Sequence, residues 1–367
     1  MEFLVKRSDL LHELNLVMGV VEKRQTIPIL ANVLMEVSEE YLALTATDQD
    51  VGLRCGCRVQ SKGEASITIP SRKLFDIVRL LPEADIQFVL KDNNWVEIHC
   101  QNSKFKVAGL PKDNFPEVPE FSGQRISIGS SVLKEMILRT IFAITQEESR
   151  YTLNGALAIL SATSLKMVTT DGHRLAYVEK SITLEGVTSE IRMLIPKKTL
   201  SELLKLMDQQ LSVDMGRDER NLFFKIGSRE LVSRILAGQF PNYEMVLPSE
   251  NNLVLISNTE KLNDGLRRAA IMADEKNRPV KFILGGNQLE MAAATADQGE
   301  SQEKIEVEYK GSEMSIALNA QYVVDFLSTV KAESVSVEFK DSESQVQLRP
   351  HEEEEFDYKY VVMPMSV

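Results

Sequence analysis

One apolar pattern is written three times along this chain, about a third of its length apart. Leu74, Ile77, Val78 and Leu81 follow Ser71; Leu200, Leu203, Leu204 and Met207 follow Lys197; Val323, Phe326, Leu327 and Val330 follow Ala320. Each quartet has the spacing i, i+3, i+4, i+7 that lines one face of a helix. The steps between quartets are 126 and 123 residues. A period of this kind means that one folding unit is repeated, and repetition usually builds the working shape.

Each third of the chain reads alike. An amphipathic helix opens it: 8–21 with Leu10, Leu11, Leu14, Val17, Met18 and Val21; 130–144 with Leu133, Met136, Ile137, Ile141 and Ile144; 259–273 with Leu262, Leu266, Ala269 and Ala270. Ser8, Ser130 or Ser131, and Thr259 are the expected N-caps, since a hydroxyl accepts from the free N–H groups of a first turn. Strands rich in apolar and β-branched residues follow at 27–37, 41–48, 152–160, 165–172, 280–286 and 288–295. Asp48 and Asp171 close matching strands, with Ala294 at the same offset in the last third. The quartet helix comes next, then more strands, among them the hairpins expected at 87–100 and 335–350. The first two thirds end in matching Phe-Pro loops at Phe115-Pro116 and Phe240-Pro241. The expected fold is α+β: three similar domains, 1–123, 124–250 and 251–367, each with two helices packed on antiparallel sheet.

Composition excludes several classes. With 43% hydrophobic and 26% charged residues over 367, the chain is globular rather than disordered. No window approaches the roughly 18 apolar residues that span a bilayer, and the N-terminus lacks a signal-peptide run, so a cytoplasmic protein is expected. Cys55, Cys57 and Cys100 form neither a disulfide framework nor a metal-ligand spacing, and neither metal nor cofactor is expected.

A net charge of −12 counts against nucleic acid until it is sorted by element. The predicted helices 8–21, 71–81, 130–144, 197–207, 259–273 and 320–331 carry +4 in total, and the remaining residues carry −16. Lys23 and Arg24 follow the first helix and Lys276 and Arg278 the fifth, while Arg72-Lys73 and Lys197-Lys198 open equivalent helices. Helices sharing one face would make that side mildly basic and the other strongly acidic. Such a field suits loose contact with a phosphate backbone better than base reading.

Four stretches then point to a family. Thr169-Thr170-Asp171-Gly172-His173-Arg174-Leu175, Arg150-Tyr151-Thr152-Leu153-Asn154-Gly155, Gln239-Phe240-Pro241-Asn242-Tyr243 and the terminal Tyr360-Val361-Val362-Met363-Pro364-Met365 closely resemble the bacterial sliding clamps, the beta subunits of DNA polymerase III. The resemblance runs the full length. It implies the DNA clamp fold, with two chains joined head to tail into a ring of six domains. Duplex DNA would be encircled without sequence recognition, and the homodimer would act as a processivity factor. Implied partners are the replicative polymerase's catalytic subunit, the clamp loader, repair polymerases, mismatch-repair proteins and ligase.

The resemblance also implies residues. A peptide pocket between the second and third domains would use Leu153, Thr170, Gly172, His173, Arg174, Leu175, Pro241, Val246, Val361, Met363, Pro364 and Met365. DNA contacts would be Arg24, Tyr151 and Lys198, joined by the helix-opening cations Arg72, Lys73 and Lys197. Phe105 and Val107 of one chain would meet Ile271 and Met272 of the other. Met245, Glu343 and Ser366 depart from some relatives at the pocket rim, and Thr152 and Glu147 depart near the DNA positions.

Two other readings compete. Asp171 and His173 could be half of a catalytic set, but the chain has four histidines and no nucleophile elbow, P-loop, zinc motif or dinucleotide fingerprint. Asp171-Gly172 reads more simply as a turn, and no enzyme is expected. The second alternative is a repeat scaffold that never meets DNA.

Overall fold

The computed structural model describes residues 1–367 apart from 22–26, 146, 209–210, 296–298, 353–354 and 367, and apart from the side chain of Glu148. Its helices are α1 (Arg7–Val20), α2 (Ser71–Leu80), α3 (Ser130–Leu138), α4 (Lys197–Leu206), α5 (Thr259–Ala269) and α6 (Ala320–Leu327). Each stands where apolar periodicity predicts one, and mixed helix and antiparallel sheet is the observed class. Leu74, Ile77, Val78 and Leu81 are all buried, as are Leu200, Leu203, Met207, Val323, Phe326 and Leu327. Leu204 and Val330 are only half-buried, and Leu206 takes the place expected for Leu204.

Several local expectations are corrected. α1 turns a different face inward: Glu13, Leu16 and Val20 are buried with Leu10, Leu14 and Val17, leaving Leu11, Met18 and Val21 half-buried. Glu13 can sit there because Arg229 binds both of its carboxylate oxygens, at 2.6 and 3.1 Å. α3 stops at Leu138, where Thr140 Oγ1 donates to the Met136 carbonyl at 2.8 Å and competes with the helical ladder. The chain then winds into the 3-10 turn Ile141–Ala143, and α5 likewise passes into Ala270–Met272. Ser8 and Thr259 lie inside their helices. Thr259 donates instead to the Ala332 carbonyl, and Asn258 caps α5 by accepting from the Lys261 N–H. Ser130 is the first residue of α3, and its buried Oγ makes no hydrogen bond among the described residues. The segment expected as a strand from residue 27 starts with a 3-10 turn, Pro28–Ala31, before the strand Asn32–Val37. Residues 152–154 likewise precede the strand Gly155–Leu160. Both predicted hairpins form.

The compact units do not coincide with the three repeats. One comprises Met1–Ser131 with Lys198–Ile235, the other Val132–Lys197 with Leu236–Val367. In the first, an eight-stranded sheet runs through strands of two repeats, joined where Val51–Arg58 pairs antiparallel with Arg229–Arg234 (Leu231 opposite Leu53). In the second, a nine-stranded sheet is joined the same way, Arg174–Ser181 with Asp357–Val362 (Leu175 opposite Val361). A five-stranded sheet in the first unit ends on Ser103–Ala108, and a four-stranded sheet in the second ends on Gly299–Glu306. Among the described residues these two strands are sheet edges.

The hairpin ends of the repeats show where the Asp48 offset goes. Thr47 pairs with Gly52, Thr170 with Leu175 and Thr295 with Gly299, so Thr295 is the counterpart of Thr47 and Thr170. Ala294 therefore lies within its strand, opposite Glu300, and the counterpart of Asp48 falls outside the described residues.

Candidate functional site

The Thr-Asp-Gly-His-Arg stretch folds into a tight turn because its own side chains saturate the backbone. Thr170 Oγ1 donates to the Arg174 carbonyl at 2.6 Å and accepts from Gly172 N–H at 3.0 Å. Asp171 Oδ1 accepts from the N–H groups of His173 and Arg174 at 2.9 and 3.0 Å. Gly172 has φ +91°, a conformation open to glycine and costly for a residue with a Cβ. Asp171 is thus a turn residue, and exposed His173 lies beside it.

Arg174 leaves this turn as the hub of the site. Its Nε donates to Asp171 at 3.0 Å, Nη1 to Asp325 on α6 and to Tyr360 Oη at 3.4 Å, and Nη2 to the Phe142 carbonyl at 2.8 Å. The guanidinium also stacks over Tyr322, 4.3 Å from the ring centre. Burial works against its charge, but Tyr360, Asp325 and Asp171 outweigh burial and hold its pKa above the ordinary value.

Beside the turn lies an apolar floor. Leu157, Ile159, Val168, Leu175, Tyr177, Leu194, Tyr243 and Val361 form one buried cluster, on which the partly exposed Leu236, Phe240, Val246 and Leu247 pack. The terminal segment continues the pairing: Met363 N–H donates to the His173 carbonyl at 3.0 Å, and Met365 N–H to Ala317 at 2.9 Å. Met363 is 37% exposed and Met245 81%, so both methionines present surface to solvent, Met245 between Tyr243 and Val246 of the apolar floor. Flexible, polarisable methionine beside buried apolar residues is a surface that can adapt its shape.

Of the residues the resemblance implies here, Leu175, Val246 and Val361 share the floor, and Thr170, Gly172, His173 and Arg174 form the turn. Met363 is tied to that turn, while Pro364 and Met365 follow it along the terminal segment. Leu153 is buried at the end of the 3-10 turn Glu148–Leu153, and exposed Pro241 follows Phe240. Sequence reasoning missed Tyr243, Phe240 and Leu236, although the first two stand in the quoted Gln-Phe-Pro-Asn-Tyr stretch. It also missed Asp325 and Tyr322, and the role of Tyr360 although that residue opens the quoted terminal stretch, because links to Arg174 that cross up to 186 residues leave no local signal.

The cations divide into two kinds. Arg72 and Lys73 are exposed at the start of α2, Arg72 within 3.7 Å of Asp76, and Tyr151 is 59% exposed. Lys197 donates to the Ile144 carbonyl at 3.3 Å, and burial, then the charge of Arg174, lowers its pKa. Lys198 donates to the Val20 carbonyl at 3.0 Å and to Asp48. Arg24 lies outside the described residues. Phe105 (37% exposed) and buried Val107 lie on the edge strand Ser103–Ala108. Ile271, 69% exposed, borders a cleft of 410 Å³ that Arg278, Gln321 and Val324 also line, and Met272 is half-buried next to it in sequence.

Three family models match in order along the chain: the N-terminal domain of the DNA polymerase III beta subunit over residues 1–119, the central domain over 127–242 and the C-terminal domain over 244–366. The beta sliding clamp of Pseudomonas putida is 35% identical over 370 residues, and that of Escherichia coli K12 33% identical over 372, each pairing covering all of both chains. The crystal structure of a DnaN sliding clamp from Pseudomonas aeruginosa bound to griselimycin superposes with a TM-score of 0.94 at 33% identity, again over both whole chains. With the repeat, the turn and the apolar floor in place, the chain belongs to the DNA polymerase III beta subunit family, the bacterial sliding clamps that serve as polymerase processivity factors.

Proposed function

We propose that two copies close head to tail into a ring that encircles duplex DNA, slides without reading sequence, and tethers a replicative polymerase. One observation carries this reading. Each repeat joins the next through the same kind of strand pair, Val51–Arg58 with Arg229–Arg234 and Arg174–Ser181 with Asp357–Val362. The strands that would make a third such junction, Gly299–Glu306 and Ser103–Ala108, each lie at the edge of their sheet among the described residues. An open edge is a template for pairing with another chain, and a two-fold axis makes both such junctions alike. Their charges are complementary: Lys104 and Lys106 on one strand, Glu300, Glu303 and Glu306 on the other. Phe105 and Val107 would then meet Ile271 and Met272. The three domains would be 1–123, 124–250 and 251–367.

Within such a ring the exposed Arg72, Lys73 and Tyr151 suit a loose hold on the phosphate backbone, because encirclement rather than affinity keeps the DNA. The groove at Leu175, Val246, Val361 and Met363, with Leu153, Thr170, Gly172, His173, Arg174, Pro241, Pro364 and Met365 around it, would take an apolar peptide anchor. Its donors would be the polymerase catalytic subunit, the clamp loader and repair proteins. The protein would be cytoplasmic and carry out no catalysis of its own. Retention on nicked circular DNA after loading, with release when that circle is cut linear, tests the reading. A scaffold would be retained on neither form, and a gripping DNA binder would stay on both.

A further inference from the structure

Lys198 opens α4 as Arg72 opens α2, yet the two cations have different surroundings. Arg72 is exposed, and its one ion pair among the described residues is the 3.7 Å contact with Asp76. The Lys198 side chain is 31% exposed, and its ammonium donates to the carbonyl of Val20, the last residue of α1, and to Asp48 Oδ2. Asp48 cannot follow a departing lysine. Its side chain is 5% exposed, and Oδ1 accepts from the N–H groups of Asp50 and Val51 at 2.9 and 2.7 Å. Lys198 moving to a phosphate would strand a buried carboxylate without its counter-charge.

The next repeat is built the same way with the signs exchanged. The turn at Asp171 has the same side-chain-to-backbone closure, and from it Arg174 reaches Asp325 on α6. An ion tie between the turn and the second helix of the following repeat thus occurs twice, once with the cation on the helix and once on the turn. Recurrence with reversed polarity fits a device that holds helices in place rather than one that binds phosphate.

We infer that Asp48 is a built-in counter-ion that withdraws Lys198 from the DNA backbone. Lys198 is then a positioning residue for α4, and its neutralised charge helps keep the hold on DNA weak enough for sliding. The inference rests on the DNA-encircling reading and is tested by salt dependence. Asp48→Asn keeps the Oδ1 acceptor of the turn and removes the charge. Binding of the full-length chain to a fluorescent duplex oligonucleotide is measured over a KCl series for the wild type, Asp48→Asn and Lys198→Met. Each phosphate contact contributes a slope of about 0.9 in log K against log salt. Asp48→Asn is expected to steepen the slope by about 0.9 as Lys198 loses its Asp48 counter-charge, and Lys198→Met to leave it unchanged. A slope shallower by about 0.9 in Lys198→Met overturns the inference, as does an unchanged slope in a folded Asp48→Asn. Should Asp48→Asn fail to fold, Lys198→Met alone decides. A wild type whose binding is insensitive to salt makes no phosphate contact for Asp48 to limit and overturns this inference, while retention on nicked circles decides the DNA-encircling reading separately.

Discussion

Replacing Arg174 by methionine keeps much of the side chain's volume and removes everything else it does. Its hydrogen bonds run to two carboxylates, a carbonyl and a phenol, and a hydrogen bond to a charged group contributes about 1.5–3 kcal/mol. Much of that gross sum is offset by desolvation, since the Arg174 side chain is only 10% exposed. Removing one partner of a buried pair costs about 3–5 kcal/mol. Asp171 and Asp325 keep 15% and 23% exposure, which puts the expected loss at the lower end, about 3 kcal/mol. At about 1.4 kcal/mol per decade, that is roughly a hundredfold faster amide exchange in the strands Arg174–Ser181 and Asp357–Val362, which pair beside this side chain. Arg174→Lys should recover less than half, because one ammonium cannot reach Asp171, Asp325 and the Phe142 carbonyl together. Peptide affinity should fall in both variants, since the turn they loosen carries Gly172 and His173. Hydrogen exchange within threefold of wild type in Arg174→Met, or full recovery by lysine, would refute the hub reading.

Two further outcomes are expected. Deleting residues 363–367 removes the Met363 tie to His173 and the methionine edge of the groove, so polymerase stimulation should vanish while gel filtration still reports a dimer; full stimulation would count against the assigned groove. For Glu135, burial alone would raise the carboxyl pKa, but hydrogen bonds from Lys331 and Arg139 and their charges bring it below the ordinary value. A carboxylate depressed in the folded state contributes its stability above its unfolded pKa and loses it as pH falls through the folded one. Glu135→Gln should therefore lower stability at neutral pH and lose less on acidification below about pH 4. Parallel acid-melting curves for variant and wild type would contradict this.

Much of this protein was legible in the chain alone. The helices were, because a 3.6-residue period records which side chains face a core whatever that core turns out to be. So was the turn at Thr170–Arg174, whose hydrogen bonds are made by neighbours in sequence. Tertiary structure decided the rest. Glu13 occupies a helix face that its charge argues against, because Arg229 arrives from 216 residues away. Asn258 displaced Thr259 as the cap of α5, since the threonine hydroxyl found Ala332 instead. The repeats share sheets rather than closing on themselves, because hydropathy marks strands but not which edge pairs with which. Lys198 looked the same as Arg72 in sequence, yet its charge is spent on Asp48, 150 positions away. Local periodicity and turn chemistry are written in adjacent residues, whereas the balance of buried charges and the choice of sheet partners depend on which distant segments the fold brings into contact.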